Sequence, residues 1–140
     1  MDEAIRNLIA DRRMDDAGAL ALRRNLAQHF EDALVENYRP FVNQMQNHPK
    51  DRHVAACAVA GGASLIVTSN IKDFDRLPDG VEAISPDAFL LRLLEETPQQ
   101  LRQALAAQSA RLRRPPMDVP AILNLLRVVT PGFVSAFCAD

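Results

Sequence analysis

"KDRHVAACAVAGGASLIVTSNIKDF", residues 50–74, holds two apolar runs closely bracketed by charge, and the order of its parts sets the fold. The alanine-rich run predicts a helix from about Lys50 to Ala60, stopped by Gly61 and Gly62. SLIVTSN follows as a short, continuously apolar, β-branched run ended by polar residues, which is the pattern of a parallel strand (64–68) buried on both faces. A second strand is expected over VEAIS, 81–85, beyond a loop that contains Pro78 and Gly80. A helix feeding a strand is half of a βαβ unit, so the expected fold class is α/β.

Upstream, Ile5, Leu8 and Ile9 have helical spacing within residues 2–13, and Asp2 and Glu3 stand where the helix dipole favours acids. A second helix is expected from about Asp16 to Phe30, carrying Leu20, Leu22, Leu26 and Phe30, with Asp15 or Asp16 as its cap. In ALVENYRPFVNQM, Ala33–Val35 is a candidate short strand and Pro40 a break. Downstream the pattern is helical. Ser85-Pro86, Thr97-Pro98 and Thr130-Pro131 each offer a hydroxyl N-cap and a proline for the first turn, and Thr97 with Gln100 fits a capping box. The helix after Thr97 should place Leu101, Leu105, Gln108 and Leu112 on one face and stop at Pro115-Pro116. Two more helices are expected, from about Val119 to Val129 and from Pro131 to Phe137. The chain thus divides into an α/β part, 1–85, and a helical extension, 86–140.

Of the 140 residues 48% are apolar, enough for the core of one ordinary domain. A formal net charge of −2 excludes a polyanion-binding signature for the molecule as a whole, so any basic surface is local. Such a stretch exists: Thr97 to Met117 contains no Asp or Glu but holds Arg102, Arg111, Arg113 and Arg114. Cys57 and Cys138 lack the spacing of a metal or redox pair and read as reduced, mostly packed residues. No run approaches the roughly 18 to 20 apolar residues of a membrane span, and the charged N-terminus is unlike a signal peptide, so a cytoplasmic protein is expected.

In open α/β sheets ligands bind beyond the carboxyl ends of the strands. Thr68, Ser69, Asn70 and Asp73 follow directly on one such end, and Asp51 comes near it if its helix runs antiparallel to the strand. Glu3 requires tertiary structure to reach them. Carboxylates that converge without Lys or Arg repel one another unless a divalent cation neutralises them, and Mg2+ or Mn2+ on such oxygens activates water toward a phosphodiester. No G-x-S-x-G, P-loop or Cys/His nucleophile competes with that chemistry. Plainer roles exist for each residue taken alone. Asp51 and Glu3 suit helix starts, Asp73 a turn, Thr68 to Asn70 a strand end, and the arginines a solvated helix face, while His48 and His53 could be ligands but better suit a solvated or core-edge place.

Taken together, residues 50–74 resemble the second half of the PIN domain in bacterial VapC-like toxins, whose signature reads roughly D-P-K-D-R-H-V-L-A-A-A and then I-V-T-x-N-x-K-D-F. "DEAIRNLI" resembles that family's helix E-E-x-x-R-N-L, "ISPDAFLLRLLEE" its P-D-x-F-L-x-x-L, and the tail with "RLRRPP" its C-terminal extension. The resemblance implies a PIN-like three-layer α/β/α sandwich with a parallel sheet, and an endoribonuclease held in check by an antitoxin. It further implies Mg2+ or Mn2+ bound by Glu3, Asp51 and Asp73, with Thr68 and Asn70 lining the catalytic site. Lys50, Arg52, Lys72, Arg111, Arg113 and Arg114 are the candidate RNA contacts.

Two departures from that pattern stand out. The family's first strand, V-L-D-A-N-V-L with a metal-binding Asp, has no counterpart, and His48 replaces the acid before Pro-Lys-Asp. The resemblance therefore leads to an expectation of a start truncated relative to the natural product, or of a sheet completed by a homodimer or a partner chain. It also leaves a rival to the nuclease: an inactive PIN remnant that binds an antitoxin or other protein. A purely helical regulator is disfavoured by the strand pattern of GGASLIVTSN.

Overall fold

The computed structural model describes residues 15–139, so the expected helix over 2–13 and Glu3 lie outside the described residues. The first described helix is α1, Asp16–His29, and Asp15 caps it by accepting from the Gly18 N–H at 2.7 Å. The candidate strand at Ala33–Val35 does not form. Glu31–Ala33 is a 3-10 turn, with the Ala33 N–H bonded to Phe30 O and the Leu34 N–H to Glu31 O, so the backbone is satisfied locally without a neighbouring strand. Pro40 sits in the first turn of a short helix, α2 (Arg39–Val42), where its missing N–H costs nothing.

The alanine-rich stretch forms α3, Arg52–Ala60, preceded by a 3-10 turn over Pro49–Asp51. Ala55 and Ala56 are fully buried, and their small side chains let α3 approach α2 and the sheet closely. The helix ends at Gly61, whose N–H bonds Cys57 O, and Gly62 takes the left-handed conformation (φ 65°) that lets the Ala63 N–H return to Ala58 O at 2.8 Å. The chain then enters β1, Leu65–Val67, which pairs in parallel with β2, Glu82–Ile84, in the register Leu65↔Glu82, Ile66↔Ala83, Val67↔Ile84. Glu82 N–H to Ser64 O and Thr68 N–H to Ile84 O, both 2.9 Å, extend the ladder at its two ends. The described residues thus give a mixed α/β fold, mostly helical, with a small two-stranded parallel sheet. Burial on both faces is not observed: Ile66 is buried under α3 but Val67 is 44% exposed, because side chains alternate across the strand.

After β2 the chain turns directly into α4 (Pro86–Glu96), followed by α5 (Pro98–Arg111), α6 (Val119–Leu126) and α7 (Pro131–Ala139). Of the three hydroxyl–proline pairs, only Ser85 caps with its side chain, accepting from the Ala88 N–H at 3.1 Å. The capping box at Thr97 and Gln100 is not formed, since Thr97 Oγ1 donates back to Leu93 O; Thr130 Oγ1 likewise donates to Leu126 O. In both cases the hydroxyl adds a bond to a carbonyl that already accepts the same residue's own N–H. Leu94, Leu105, Ile122, Leu123, Phe133, Val134 and Phe137 form the core of this bundle. Leu101 and Leu112 pack against that core, whereas Gln108, expected on the same face, is exposed. The second core joins Met45, Ala55, Ala56, Ala58, Ile66 and Phe74 around α3.

Asp87 of α4 ties the bundle by accepting from the Phe133 N–H of α7 at 2.8 Å. A Cβ on Gly132 would stand 2.6 Å from Asp87 Oδ2, so a side chain there displaces the carboxylate from its bond. We expect Gly132→Ala and Asp87→Ala to be coupled by about 1 kcal/mol in a double-mutant cycle read by urea unfolding. Gly132→Ala should be destabilising in the native background and stabilising in Asp87→Ala, where its helix propensity is felt without the clash.

Cys138 is exposed in the last turn of α7, correcting the expectation that both thiols pack, while Cys57 is half-buried. Phe137 is the last core side chain of that helix. Burial pushes the Cys57 thiol up from the ordinary range. In a DTNB time course at neutral pH, Cys138 should react first and Cys138→Ser should remove the fast phase. The Cys57 rate should go on climbing with pH above the range where an exposed thiol levels off.

Candidate metal centre

The sequence NHPKD turns tightly because Pro49 starts a 3-10 turn, closed by the Asp51 N–H donating to His48 O at 2.9 Å. Side chains three residues apart eclipse in such a turn, so His48 and Asp51 face the same way. Asp51 is the N-cap residue of α3, yet its carboxylate makes no capping hydrogen bond. Its place at the helix start therefore rests on the helix dipole and not on a cap.

The other half of the site follows β1. Thr68 Oγ1 accepts from the Asn70 N–H at 3.1 Å, folding the chain into the 3-10 turn Ile71–Phe74, and Asn70 Nδ2 donates to Asp73 Oδ2. The two halves are joined by the His48 N–H, which donates to Asp73 O at 3.0 Å. Ligand atoms of His48, Asp51 and Asp73 consequently lie within 4.8 Å of one another, with His48 exposed and both aspartates half-buried. Among the described residues no Lys or Arg pairs with either carboxylate. Two anions at such a separation repel by roughly 1 to 4 kcal/mol between water and a partly screened protein surface, and a cation between them reverses that sign.

Asn47, next to His48, is 1% exposed, and neither atom of its side-chain amide has a hydrogen-bond partner. Its backbone oxygen accepts from Arg52 Nε at 3.3 Å. The structure therefore brings together Asp51 and Asp73, places Asn70 on Asp73 and Thr68 on the Asn70 backbone, and adds His48. Lys50 and Lys72 are exposed in the two turns that carry the acids, while Arg52 is turned to Asn47. Arg111, Arg113 and Arg114 are exposed at the end of α5 and beyond, in the helical bundle. His53 is not part of the cluster. Sequence reasoning weighed His48 as a ligand but favoured a solvated or core-edge role and noted the acid it replaces; the His-x-x-Asp spacing across a proline turn was the signal that it stands beside Asp51.

Comparison with known proteins adds two findings. Residues 86–138 match the family model described as the VapC50 C-terminal domain. Over 106 residues, 74% of this chain, the sequence is 34% identical to a protein of Mycobacterium tuberculosis (strain ATCC 25618 / H37Rv) that carries the name "Putative ribonuclease VapC50". That match spans 63% of the relative's length. Both findings support a VapC-like relationship. No solved structure matches the chain.

A buried amide with both groups unpaired destabilises a fold, whereas an apolar replacement of similar volume removes the penalty. Asn47→Leu should therefore raise the stability of the metal-free chain by about 1 to 2 kcal/mol in a denaturant titration. An unchanged or lower midpoint would show that the amide is satisfied in solution.

Proposed function

We propose that the protein is a metal-dependent endoribonuclease of the VapC-like PIN toxin type, which hydrolyses RNA phosphodiester bonds. The observation that carries this reading is the uncapped Asp51 carboxylate held beside Asp73 without a compensating Lys or Arg among the described residues. The likeness to the VapC50 relative supports it. The donor set fits Mg2+ or Mn2+, because hard carboxylate oxygens dominate it. When bound, the cation supplies a water of lowered pKa and offsets charge that develops on the phosphate.

The chain's own groups then divide the work. Asp51 and Asp73, with Glu3 as a further acid, would hold the ion, and Asn70 fixes the Asp73 carboxylate so that it could also accept a hydrogen bond from an attacking water. Thr68 holds the Asn70 backbone in place. Lys50 and Lys72 contact substrate phosphates, with Arg52 in support and Arg111, Arg113 and Arg114 offering a further basic segment for the RNA. The reading includes a PIN-like three-layer sandwich over 1–85, a helical extension over 86–140, a cognate antitoxin and a second chain that completes the sheet. Among the described residues no helix is long and apolar enough to cross a membrane.

One observation favours a second reading, a protein-binding module without nuclease activity. Leu125, Val128 and Val129 are exposed around the end of α6, with Val128 at 85%, and such apolar clusters mark protein contacts. Cleavage of a labelled RNA pool with Mn2+ decides between the two. Cleavage should need metal, stop with EDTA, and fall by about 100-fold or more in Asp51→Asn, since loss of even an outer-shell partner costs roughly 10- to 100-fold. Absence of cleavage by folded, Mn2+-loaded protein would leave the binding module as the better account.

A further inference from the structure

We propose that His48 is a ligand of this centre and that its imidazole turns the site's preference from Mg2+ toward a first-row transition cation. The inference rests on the metal-site reading above and deepens it. His48 is the residue through which the two acid-bearing turns are joined: its N–H donates to Asp73 O at 3.0 Å, and its carbonyl accepts from the Asp51 N–H at 2.9 Å. The imidazole is thereby placed relative to both carboxylates by its own backbone, and its ligand atom lies within 4.8 Å of theirs.

The Lys50 N–H points at His48 Nδ1, so in the neutral ring this nitrogen carries a lone pair rather than a proton. At 3.4 Å that hydrogen bond is long and is given up to a cation at little cost. The side chain is exposed, and that bond makes it the N-cap of the Pro49–Asp51 turn. The preceding residue, Asn47, is buried, and both polar atoms of its amide are unpaired. Imidazole nitrogen binds transition cations well, whereas Mg2+ demands oxygen ligands and keeps its waters.

The test is pulsed EPR of the full chain loaded with MnCl2, with MgCl2 competition to measure preference. Nitrogen-14 modulation from a coordinated imidazole is expected in the native chain. It should persist in His53→Gln and disappear in His48→Asp, which should still bind Mn2+ but discriminate against Mg2+ at least about 10-fold less. Circular dichroism checks that the exposed-site variant is folded. Mn2+ bound without nitrogen modulation, or modulation that survives His48→Asp, overturns the role of His48 and leaves a carboxylate centre intact. No Mn2+ binding by the native chain overturns both this inference and the metal-dependent reading. RNA cleavage is read separately, so loss of the nuclease reading alone leaves the nitrogen signal in place.

Discussion

A parallel pair of strands cannot be closed by a tight turn, and much of this protein follows from that constraint. Between β1 and β2 the chain must travel back along the sheet, and it does so through residues 68–81, with a 3-10 turn instead of a helix. The crossover carries Thr68, Asn70 and Asp73 past the carboxyl end of β1. A hairpin would have had neither the length nor the direction to place an acid there. The side chains of the candidate centre are a by-product of how two short strands are made parallel.

The incoming segment is held to the same place by different means. Pro49 and the 3-10 turn set His48 and Asp51 on one side, and the small buried face of α3 draws their helix against Ile66. A single backbone bond between His48 and Asp73 then fixes the distance between the turns. Repulsion between the two carboxylates acts against that bond, and the orphaned Asn47 amide adds a further cost. Local penalties gathered at one spot, in a fold whose two cores are otherwise well filled, are what a site retained for binding looks like.

The helix–glycine–strand order of residues 50–74 was legible because apolar periodicity and glycine stops are local signals. The bundle's helices were legible too, through their prolines, although the hydroxyls at Thr97 and Thr130 serve the helix before them and not the one after. That choice depends on the rotamer each hydroxyl takes, and sequence does not encode it. The one-sided burial of β1 was hidden for a similar reason: Leu65-Ile66-Val67 is equally apolar whether one face is covered or two. Within the site, Asp51 and Asp73 could be nominated from topology. His48 could not be ranked, because its value lies in a bond to a residue far along the chain.

The turn at Pro49 carries a consequence for timing. His48 and Asp51 are near neighbours in sequence, so that half of the cluster costs little loop entropy and can exist in a chain still being synthesised. Asp73 reaches the cluster through β1, its pairing with β2 and the crossover, and so through non-local contacts. The three side chains are thus brought together only in the folded chain. Because one of its three side chains arrives through a long-range contact, the cluster is complete only where the α/β part has folded as a whole.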